Sequence, residues 1–144
     1  MNFDCLKLEN QLCFPLYAAA KEVTRKYKPF LDKIDLTYTQ YIAVMILWDT
    51  ESINVNELGK RMYLDSCTLT PLLKKLEDKG YITREKSTKD ERNLVIKITK
   101  KGLDLRKKAV NIPFEMSKCI NLDEKEAKEL YNILYKILGN VSRW

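Results

Sequence analysis

The 144-residue chain contains no histidine, and it has only four glycines and four prolines. Without histidine, neither a Ser-His nor a Cys-His catalytic pair can form. The four cysteines show no CxxC spacing, so the usual motif of a zinc site is also missing. No thioredoxin-like alternation of strands and helices accompanies these cysteines, which disfavours a thiol peroxidase. We therefore expect no enzyme, no metal site and no cofactor.

Long hydrophobic runs are also missing from the sequence. No apolar segment approaches the roughly 20 residues that cross a membrane, and residues 1–4 lack the basic start of a secretion signal. These absences predict a cytoplasmic protein with no membrane partner. In that compartment the cysteines are expected to be reduced at rest.

Positive charge, by contrast, is abundant and unevenly distributed. The net charge is +6, but residues 60–108 hold fifteen Lys/Arg against seven Asp/Glu, a balance of +8, so the rest of the chain sums to −2. Each phosphate that a protein neutralises releases counterions, so a clustered basic surface favours binding to nucleic acid. The charge distribution therefore indicates double-stranded DNA as a partner.

The most basic part of the chain coincides with a helix-turn-helix pattern and a hairpin over residues 54–99. The second of its two helices carries leucines at helical spacing, and Gly80 is placed to end it in a left-handed conformation. After Gly80 the apolar period changes to two over residues 81–86 and 93–99, which predicts two strands joined by a charged turn. The expected fold is mainly α with a small β-wing, a winged helix-turn-helix.

The polar face of the second helix and the hairpin provide the candidate DNA contacts. The helix residues lie on or near the face away from the leucines, which is free to enter a major groove. The candidates are Ser66, Thr68, Thr70, Lys74, Lys75, Arg84, Lys86, Lys89, Asp90 and Arg92. Two alternatives remain open: a solvated helix beside an ordinary hairpin, and an architectural protein that binds DNA without sequence preference.

Amphipathic stretches lie on both sides of this region. Residues 6–31 show apolar positions at steps of three and four, which predicts one long helix that Pro15 either bends or starts near residue 14. Thr37 and Gln40 form a capping-box pattern for an apolar second helix that runs to about residue 49. Thr99 is placed to cap a helix over residues 100–108, continuing toward Met116 with a break at Pro113, and a last helix is predicted over residues 124–141.

A small winged core does not require long helices at both ends of the chain, so their apolar stripes need another surface for burial. A second copy of the protein is the simplest partner, and a two-fold dimer also suits a pseudo-palindromic operator. We therefore expect a single domain over residues 1–144, with residues 36–99 binding DNA and residues 6–31 and 100–142 forming the homodimer. The alternative is that both helices pack within the monomer.

The order of two helices, helix-turn-helix, wing and terminal helices resembles the MarR family of bacterial transcriptional regulators over nearly the whole chain. Asp90-Glu-Arg92, followed by Val95 on the returning strand, is similar to the wing signature of that family. The resemblance implies that Arg92 reaches a minor groove and that Asp90 helps to hold the wing.

Three further segments resemble the OhrR subgroup, whose members sense organic hydroperoxides. They are residues 8–14 with 16–17, residues 36–38 with 40–41, and residues 64–66 with 68–73. The resemblance implies that Cys13 is the reactive thiol and that Tyr27 and Tyr38 hydrogen-bond its sulfur. It also makes Cys119 the candidate resolving cysteine, as in some members of the subgroup; others use a small cellular thiol.

Two residues depart from the pattern of the subgroup. Pro15 stands where the family usually has a small helix-forming residue. Cys67 stands where the subgroup usually has glycine, at the start of the second helix of the motif. Because the N-terminus of a helix stabilises a thiolate, Cys67 is a candidate for a second redox site.

Helix geometry places a condition on the sensor hypothesis. Cys13 and Tyr27 are fourteen residues apart, about 21 Å along a straight helix, so they cannot touch within one subunit. Contact requires that the first helices of two subunits cross in opposite directions. The hypothesis is thus a dimeric repressor that releases its operator when an organic hydroperoxide oxidises Cys13. The alternative is a MarR-type repressor released by a small phenolic ligand, with Cys13 merely buried.

Overall fold

The computed structural model describes residues 1–87 and 93–141, with side chains to residue 139. Two short 3-10 turns, Asp4–Leu6 and Leu8–Asn10, precede the helices and strands. Within the described residues these are α1 (Cys13–Asp32), α2 (Tyr38–Thr50), β1 (Ser52–Asn54), α3 (Val55–Met62), α4 (Ser66–Asp78), β2 (Ile82–Lys86), β3 (Leu94–Ile98), α5 (Lys100–Asp104), α6 (Arg106–Ala109), α7 (Ile112–Ile120) and α8 (Glu124–Val141). The predicted mainly α fold with a small wing is confirmed. None of the helices in the described ranges is long and apolar enough to cross a membrane.

Helix α2 forms the centre of the core. The side chains of Ala43, Val44 and Leu47 are fully buried, because this helix is apolar on most of its surface and packs against α1, α3, α4 and the sheet. Its start is the predicted capping box, in which the Thr37 hydroxyl accepts from the Gln40 amide at 3.3 Å and Gln40 Oε1 accepts from the Thr37 amide at 3.0 Å. The capping box fixes where the chain enters the core.

Helices α3 and α4 form the helix-turn-helix. Helix α4 begins after Asp65, whose carboxylate accepts from the Thr68 amide at 2.8 Å. Its inner face buries four leucines, Leu69, Leu72, Leu73 and Leu76. Gly80 follows with a φ of +80°, the predicted left-handed stop. Helix α4, the recognition helix of this motif, is therefore held in place by its leucines, and its other face is exposed.

The three strands form one antiparallel sheet in the order β1-β3-β2. Ile53 of β1 and Arg84 of β2 both pair with Ile96 of β3, so the short strand after α2 joins the wing. The sheet packs its buried isoleucines against α2 and α4. Residues 88–92 at the tip lie outside the described residues, and with them the predicted contacts Lys89, Asp90 and Arg92.

Of the two predictions for Pro15, a helix start near residue 14 is confirmed to within one residue, and a helix that runs from residue 6 and bends at Pro15 is wrong. Helix α1 begins at Cys13, so Pro15 lies in its first turn, where the missing N–H costs no helical hydrogen bond. Upstream, the side-chain amides of Asn10 and Gln11 donate to the carbonyls of Asp4 and Cys5, both at 2.7 Å. These side-chain bonds compete with helix formation and hold the chain in tight turns.

The segment after the wing is divided more finely than predicted. Thr99 caps α5, accepting from the Gly102 amide at 3.1 Å, but residues 100–120 form three short helices. Pro113 lies in the first turn of α7, so it starts a helix and does not interrupt one. The final helix α8 begins with a second capping box between Asp123 and Glu126.

In a single protomer, apolar side chains near both ends of the sequence are exposed to solvent. Leu12 before α1 has an exposed fraction of 86% and Tyr131 of α8 one of 60%, and neighbouring apolar residues are also open to solvent. Contiguous apolar patches of this kind mark surfaces that bind another protein. The alternative, that both terminal helices bury their apolar stripes within the monomer, is therefore wrong, and their exposed apolar surface fits the expected dimer.

Candidate redox site and nucleic-acid interface

Cys13 is the first residue of α1, and its side chain is exposed. The residue before it, Leu12, has no side-chain acceptor, so no side chain caps the first amides of the helix. The amides at a helix N-terminus carry partial positive charge, which favours an anion at this position. Leu12, Phe14 and Leu16 surround the cysteine in sequence with exposed apolar side chains. The thiol is therefore accessible, close to a helix dipole and bordered by apolar surface.

Tyr27 and Tyr38 form a contacting pair at the other end of α1. Their ring centroids lie 4.8 Å apart, and the Tyr41 ring lies 5.9 Å from that of Tyr27. Burial raises the pKa of Tyr27, and the neighbouring Tyr38 raises it further; burial also raises the pKa of Tyr38. Both phenols therefore stay protonated at neutral pH and can donate a hydrogen bond. Among the described residues, neither hydroxyl has a hydrogen-bond partner.

Cys119 lies at the same end of α1 as the tyrosine pair. It is half-buried in the last turn of α7, and its carbonyl accepts from Lys26 Nζ at 3.1 Å. Lys26 directly precedes Tyr27, so Cys119 is close to the level of the phenols. Cys13 is thirteen residues from Lys26, about 20 Å along the helix axis. One chain therefore places its two candidate redox cysteines toward opposite ends of α1.

The other two cysteines lie elsewhere in the chain. Cys67 is exposed in the first turn of α4, beside the Asp65 cap and on the outer side of the recognition helix. Cys5 is exposed in the first 3-10 turn, and its carbonyl accepts from the Gln11 side chain. Among the described residues no group of His, Cys, Asp or Glu side chains could hold a metal ion.

The predicted recognition face is present on α4. Five candidate residues are exposed on the helix, opposite the buried leucines: Ser66, Thr68, Thr70, Lys74 and Lys75. The Thr70 hydroxyl donates to the Ser66 carbonyl at 2.8 Å, which leaves the hydroxyl oxygen as an acceptor toward solvent. Lys74 and Lys75 have no ion pair with any described residue. This face presents polar groups and two positive charges.

The two described candidates on strand β2 have different surroundings. Lys86 is exposed at the end of the strand. Arg84 is largely buried and donates to Glu77 Oε1 of α4 at 3.0 Å, and this bond holds the pKa of Glu77 below its usual value. Arg84 thus joins the base of the wing to the recognition helix, and its charge is already matched there.

Two polar contacts near the site could not be predicted from the sequence. Lys26 reaches Cys119 across 93 residues, and Lys79 at the end of α4 reaches Asp35 across 44. Both involve lysines that look like ordinary surface residues. Sequence reasoning assigns no site role to Tyr41, although its ring lies 5.9 Å from that of Tyr27.

Taken together, these elements define a winged helix-turn-helix protein with an exposed basic recognition helix. The model for the family "Transcriptional regulator SarA/Rot" matches residues 25–109. The chain belongs to this family of transcriptional regulators and is a MarR-type regulator of the OhrR-like subgroup, as the wing and helix motifs predicted.

Two curated relatives cover most of the chain. It is 47% identical over 136 residues to the organic hydroperoxide resistance transcriptional regulator of Bacillus subtilis, covering 94% of this chain and 92% of the relative. It is 44% identical over 133 residues to the HTH-type transcriptional regulator SarZ of Staphylococcus haemolyticus, covering 92% and 90%. These relatives are transcriptional regulators and not enzymes.

A solved relative, AbfR of Staphylococcus epidermidis, has been captured in more than one redox state. Reduced AbfR bound to DNA matches with a TM-score of 0.79 and 31% identity, covering 98% of this chain and 99% of AbfR. The disulfide-formed AbfR matches with a TM-score of 0.62 and 30% identity, covering 94% and 90%. The fold of this chain is thus more similar to the DNA-bound AbfR than to the disulfide form.

Proposed function

We propose that this regulator is a homodimeric repressor that binds operator DNA when reduced and releases it when an organic hydroperoxide oxidises Cys13. The family relationship supports DNA binding, and the name of the Bacillus subtilis relative supports organic hydroperoxides as the effector. AbfR supports a redox mechanism, because it has been solved as a reduced form bound to DNA, an overoxidized form bound to DNA and a disulfide form.

The recognition helix carries the DNA contacts in this proposal. Its exposed face enters the major groove, where Thr68 and Ser66 at its N-terminal end are nearest the base edges and Lys74 and Lys75 neutralise phosphates. Lys86 and Lys89 bind the adjacent phosphate backbone, Arg92 reaches the minor groove, and Asp90 helps to hold the wing. Arg84 supports this arrangement from inside, since it holds β2 against α4.

The arrangement along α1 is the observation that supports the sensor most strongly. Tyr27, Tyr38 and Cys119 lie at one end of the helix, and Cys13 lies exposed at the other. If two α1 helices cross in opposite directions, Cys13 of each copy comes to the phenols and to Cys119 of the other. The exposed apolar surface at both chain ends supplies the area for such a dimer. One geometry therefore serves both sensing and dimerisation.

The chemistry follows from this placement. The thiolate of Cys13 attacks the hydrogen-bearing oxygen of the hydroperoxide, and the O–O bond breaks. The sulfur, now bonded to OH, is a sulfenic acid, and the alkoxide that leaves takes a proton from water to become the alcohol. The neutral phenols of Tyr27 and Tyr38 donate hydrogen bonds to the sulfur and then to the sulfenate. The apolar side chains of Leu12, Phe14 and Leu16 favour alkyl peroxides over hydrogen peroxide.

Cys119 of the other copy is the resolving residue in this scheme. Its thiol displaces the hydroxyl of the sulfenic acid, forming an intersubunit disulfide and one molecule of water. Closing this bond draws α1 of one copy toward α7 of the other. The recognition helices are then respaced, and both half-sites can no longer be engaged at once. Residues 36–99 thus bind DNA, and the terminal helices carry the signal.

The experiment that tests this function combines intact mass with DNA binding. The probe is a duplex selected by the reduced protein from a randomised pool. After treatment with cumene hydroperoxide, we expect the protein to gain oxygen or a disulfide at Cys13 and to leave the duplex over the same time course. Release by a phenolic compound, with an unchanged mass under peroxide, would support the ligand-controlled alternative and contradict the proposal.

A further inference from the structure

Lys79 joins the end of the recognition helix to the start of α2, which carries Tyr38. Its Nζ donates to the Asp35 carbonyl at 2.6 Å and to Gln40 Oε1 at 3.2 Å, and it lies 3.4 Å from the Asp35 carboxylate. The lysine side chain is mostly buried, whereas the Asp35 side chain is exposed. Lys79 is therefore held mainly by two acceptors, the backbone carbonyl of Asp35 and the side-chain oxygen of Gln40.

Gln40 Oε1 accepts two hydrogen bonds, one that starts α2 and one that holds Lys79. It accepts from the Thr37 amide in the capping box of α2 as well as from Lys79, and Gln40 is the only polar residue in the buried core of the described chain. Tyr38 lies between Thr37 and Gln40 in the first turn of α2. A displacement of Tyr38 therefore shifts the first turn of α2, and with it the acceptors that hold Lys79.

The second acceptor, Asp35, lies in the turn between the two helices that carry the phenols. Asp35 has a φ of 55° in the tight turn between α1 and α2, where the Leu36 amide bonds back to the Leu31 carbonyl at 3.1 Å. This turn connects the helix that carries Tyr27 with the one that carries Tyr38. One lysine contact thus lies in the turn that links the two phenol-bearing helices, and the other, Gln40, lies two residues after Tyr38.

The same helix end has a second anchor. Lys101 of α5 donates to the Lys79 carbonyl at 2.8 Å, and its ammonium group lies 5.1 Å from the centre of the Tyr81 ring. Among the described residues, Lys101 has no hydrogen bond or ion pair with Tyr27, Tyr38 or the α1–α2 turn. The end of the recognition helix is therefore held by two lysine attachments, one to the residues around the start of α2 and one to α5.

From these contacts we propose that Lys79 is the positioning residue that transmits the state of the phenol site to the recognition helix. The inference rests on the proposed function. In the reduced protein the hydrogen bonds from Lys79 to Asp35 and Gln40 keep α4 in the DNA-binding position. When oxidised Cys13 moves away from the phenols to bond with Cys119, the first turn of α2 moves. The hydrogen bonds to Lys79 then move the recognition helix. We call this transmission through Lys79 the relay.

Lys79→Met tests this relay, with Lys101→Met as the matched control. The measured quantity is the ratio of the Kd for the selected duplex after and before cumene hydroperoxide, together with the rate of Cys13 oxidation by intact mass. Allosteric coupling factors are typically about 5–150-fold, and we expect wild type and Lys101→Met to lie toward the upper end. Lys79→Met should fall below about fivefold, with an unchanged oxidation rate.

A conservative variant separates relay from folding. Lys79→Arg keeps the charge and the donors and should retain most of the coupling, whereas Lys79→Gln should behave like Lys79→Met. If wild type and Lys79→Met lose DNA by the same factor, the relay is wrong and the proposed function stands. Equal loss of coupling in Lys101→Met would show a merely structural role for this helix end and overturn the relay. If wild type itself does not respond to peroxide, the proposed function fails and the relay fails with it.

Discussion

A Cys13→Ser protein is expected to stay bound to its DNA after treatment with cumene hydroperoxide. Serine preserves the size and the helix start but removes the nucleophilic sulfur, so neither a sulfenic acid nor a disulfide can form at this position. Simultaneous engagement of two half-sites contributes about 100-fold or more to affinity. Electrophoretic mobility shifts should therefore show roughly 100-fold weaker binding for oxidised wild type and little change for the variant.

Cys5→Ser is the matched control for this experiment. Cys5 is also exposed and lies close by in sequence, but it lies in a three-residue 3-10 turn and not at the start of an α-helix. The Cys5→Ser protein should release DNA as wild type does. If Cys13→Ser releases its DNA on oxidation as readily as wild type, Cys13 is not the sensor. Cys67, exposed on the recognition helix, would then be the next thiol to examine.

Gly102→Ala is expected to destabilise the protein by about 3 kcal/mol, the upper part of the range for overpacking a well-packed site. An added Cβ would overlap the Tyr81 carbonyl oxygen and lie 2.7 Å from Ile98 Cγ1. The glycine cannot move away easily, because its amide donates to Thr99 Oγ1 at 3.1 Å and its carbonyl accepts from Trp48 Nε1 at 2.9 Å. Urea unfolding followed by circular dichroism measures the loss.

Gly139→Ala provides the control in the same chain. A Cβ on this glycine of α8 meets nothing within 4 Å, and alanine is favoured over glycine in a helix by up to about 1 kcal/mol. The control variant should therefore be as stable as wild type or slightly more stable. A Gly102→Ala protein with unchanged stability would show that α5 does not approach Tyr81 as closely as described.

Local sequence signals predicted much of the fold correctly. The capping box of Thr37 and Gln40, the left-handed stop at Gly80 and the cap at Thr99 all occur where the side-chain chemistry placed them. Each depends on residues within a few positions of one another. The change from helical to strand period after Gly80 likewise located the wing, because periodicity directly reflects which face is buried.

Features that depend on distant contacts could not be predicted in the same way. Pro15 indicated a helix start near residue 14, but the 3-10 turns before that start depend on side-chain amides that bond back to carbonyls up to six residues away. The bonds of Lys26 to Cys119 and of Lys79 to Asp35 span 93 and 44 residues. Nothing in the local sequence distinguishes these two lysines from solvated ones.

The candidate sensor site was predicted by resemblance and not by periodicity. Cys13, Tyr27 and Tyr38 were carried over from the subgroup motifs, and helix geometry then required a second subunit to bring them together. The structure adds the position of Cys119 beside Lys26, near the phenols. Cys119 therefore gains physical support that the sequence alone did not provide, although its pairing with Cys13 remains a proposal.

The most direct test of the central claim is disulfide formation in a mixed dimer of Cys13→Ser and Cys119→Ser chains, distinguished by isotope labelling. The sensor arrangement predicts one covalent bond after cumene hydroperoxide treatment, joining Cys13 of the Cys119→Ser chain to Cys119 of the Cys13→Ser chain. Non-reducing peptide mass spectrometry identifies this bond, and neither homodimer should form it. A wild-type disulfide within one chain, or a mixed dimer that oxidises at Cys13 without ever joining the two chains, would contradict the account.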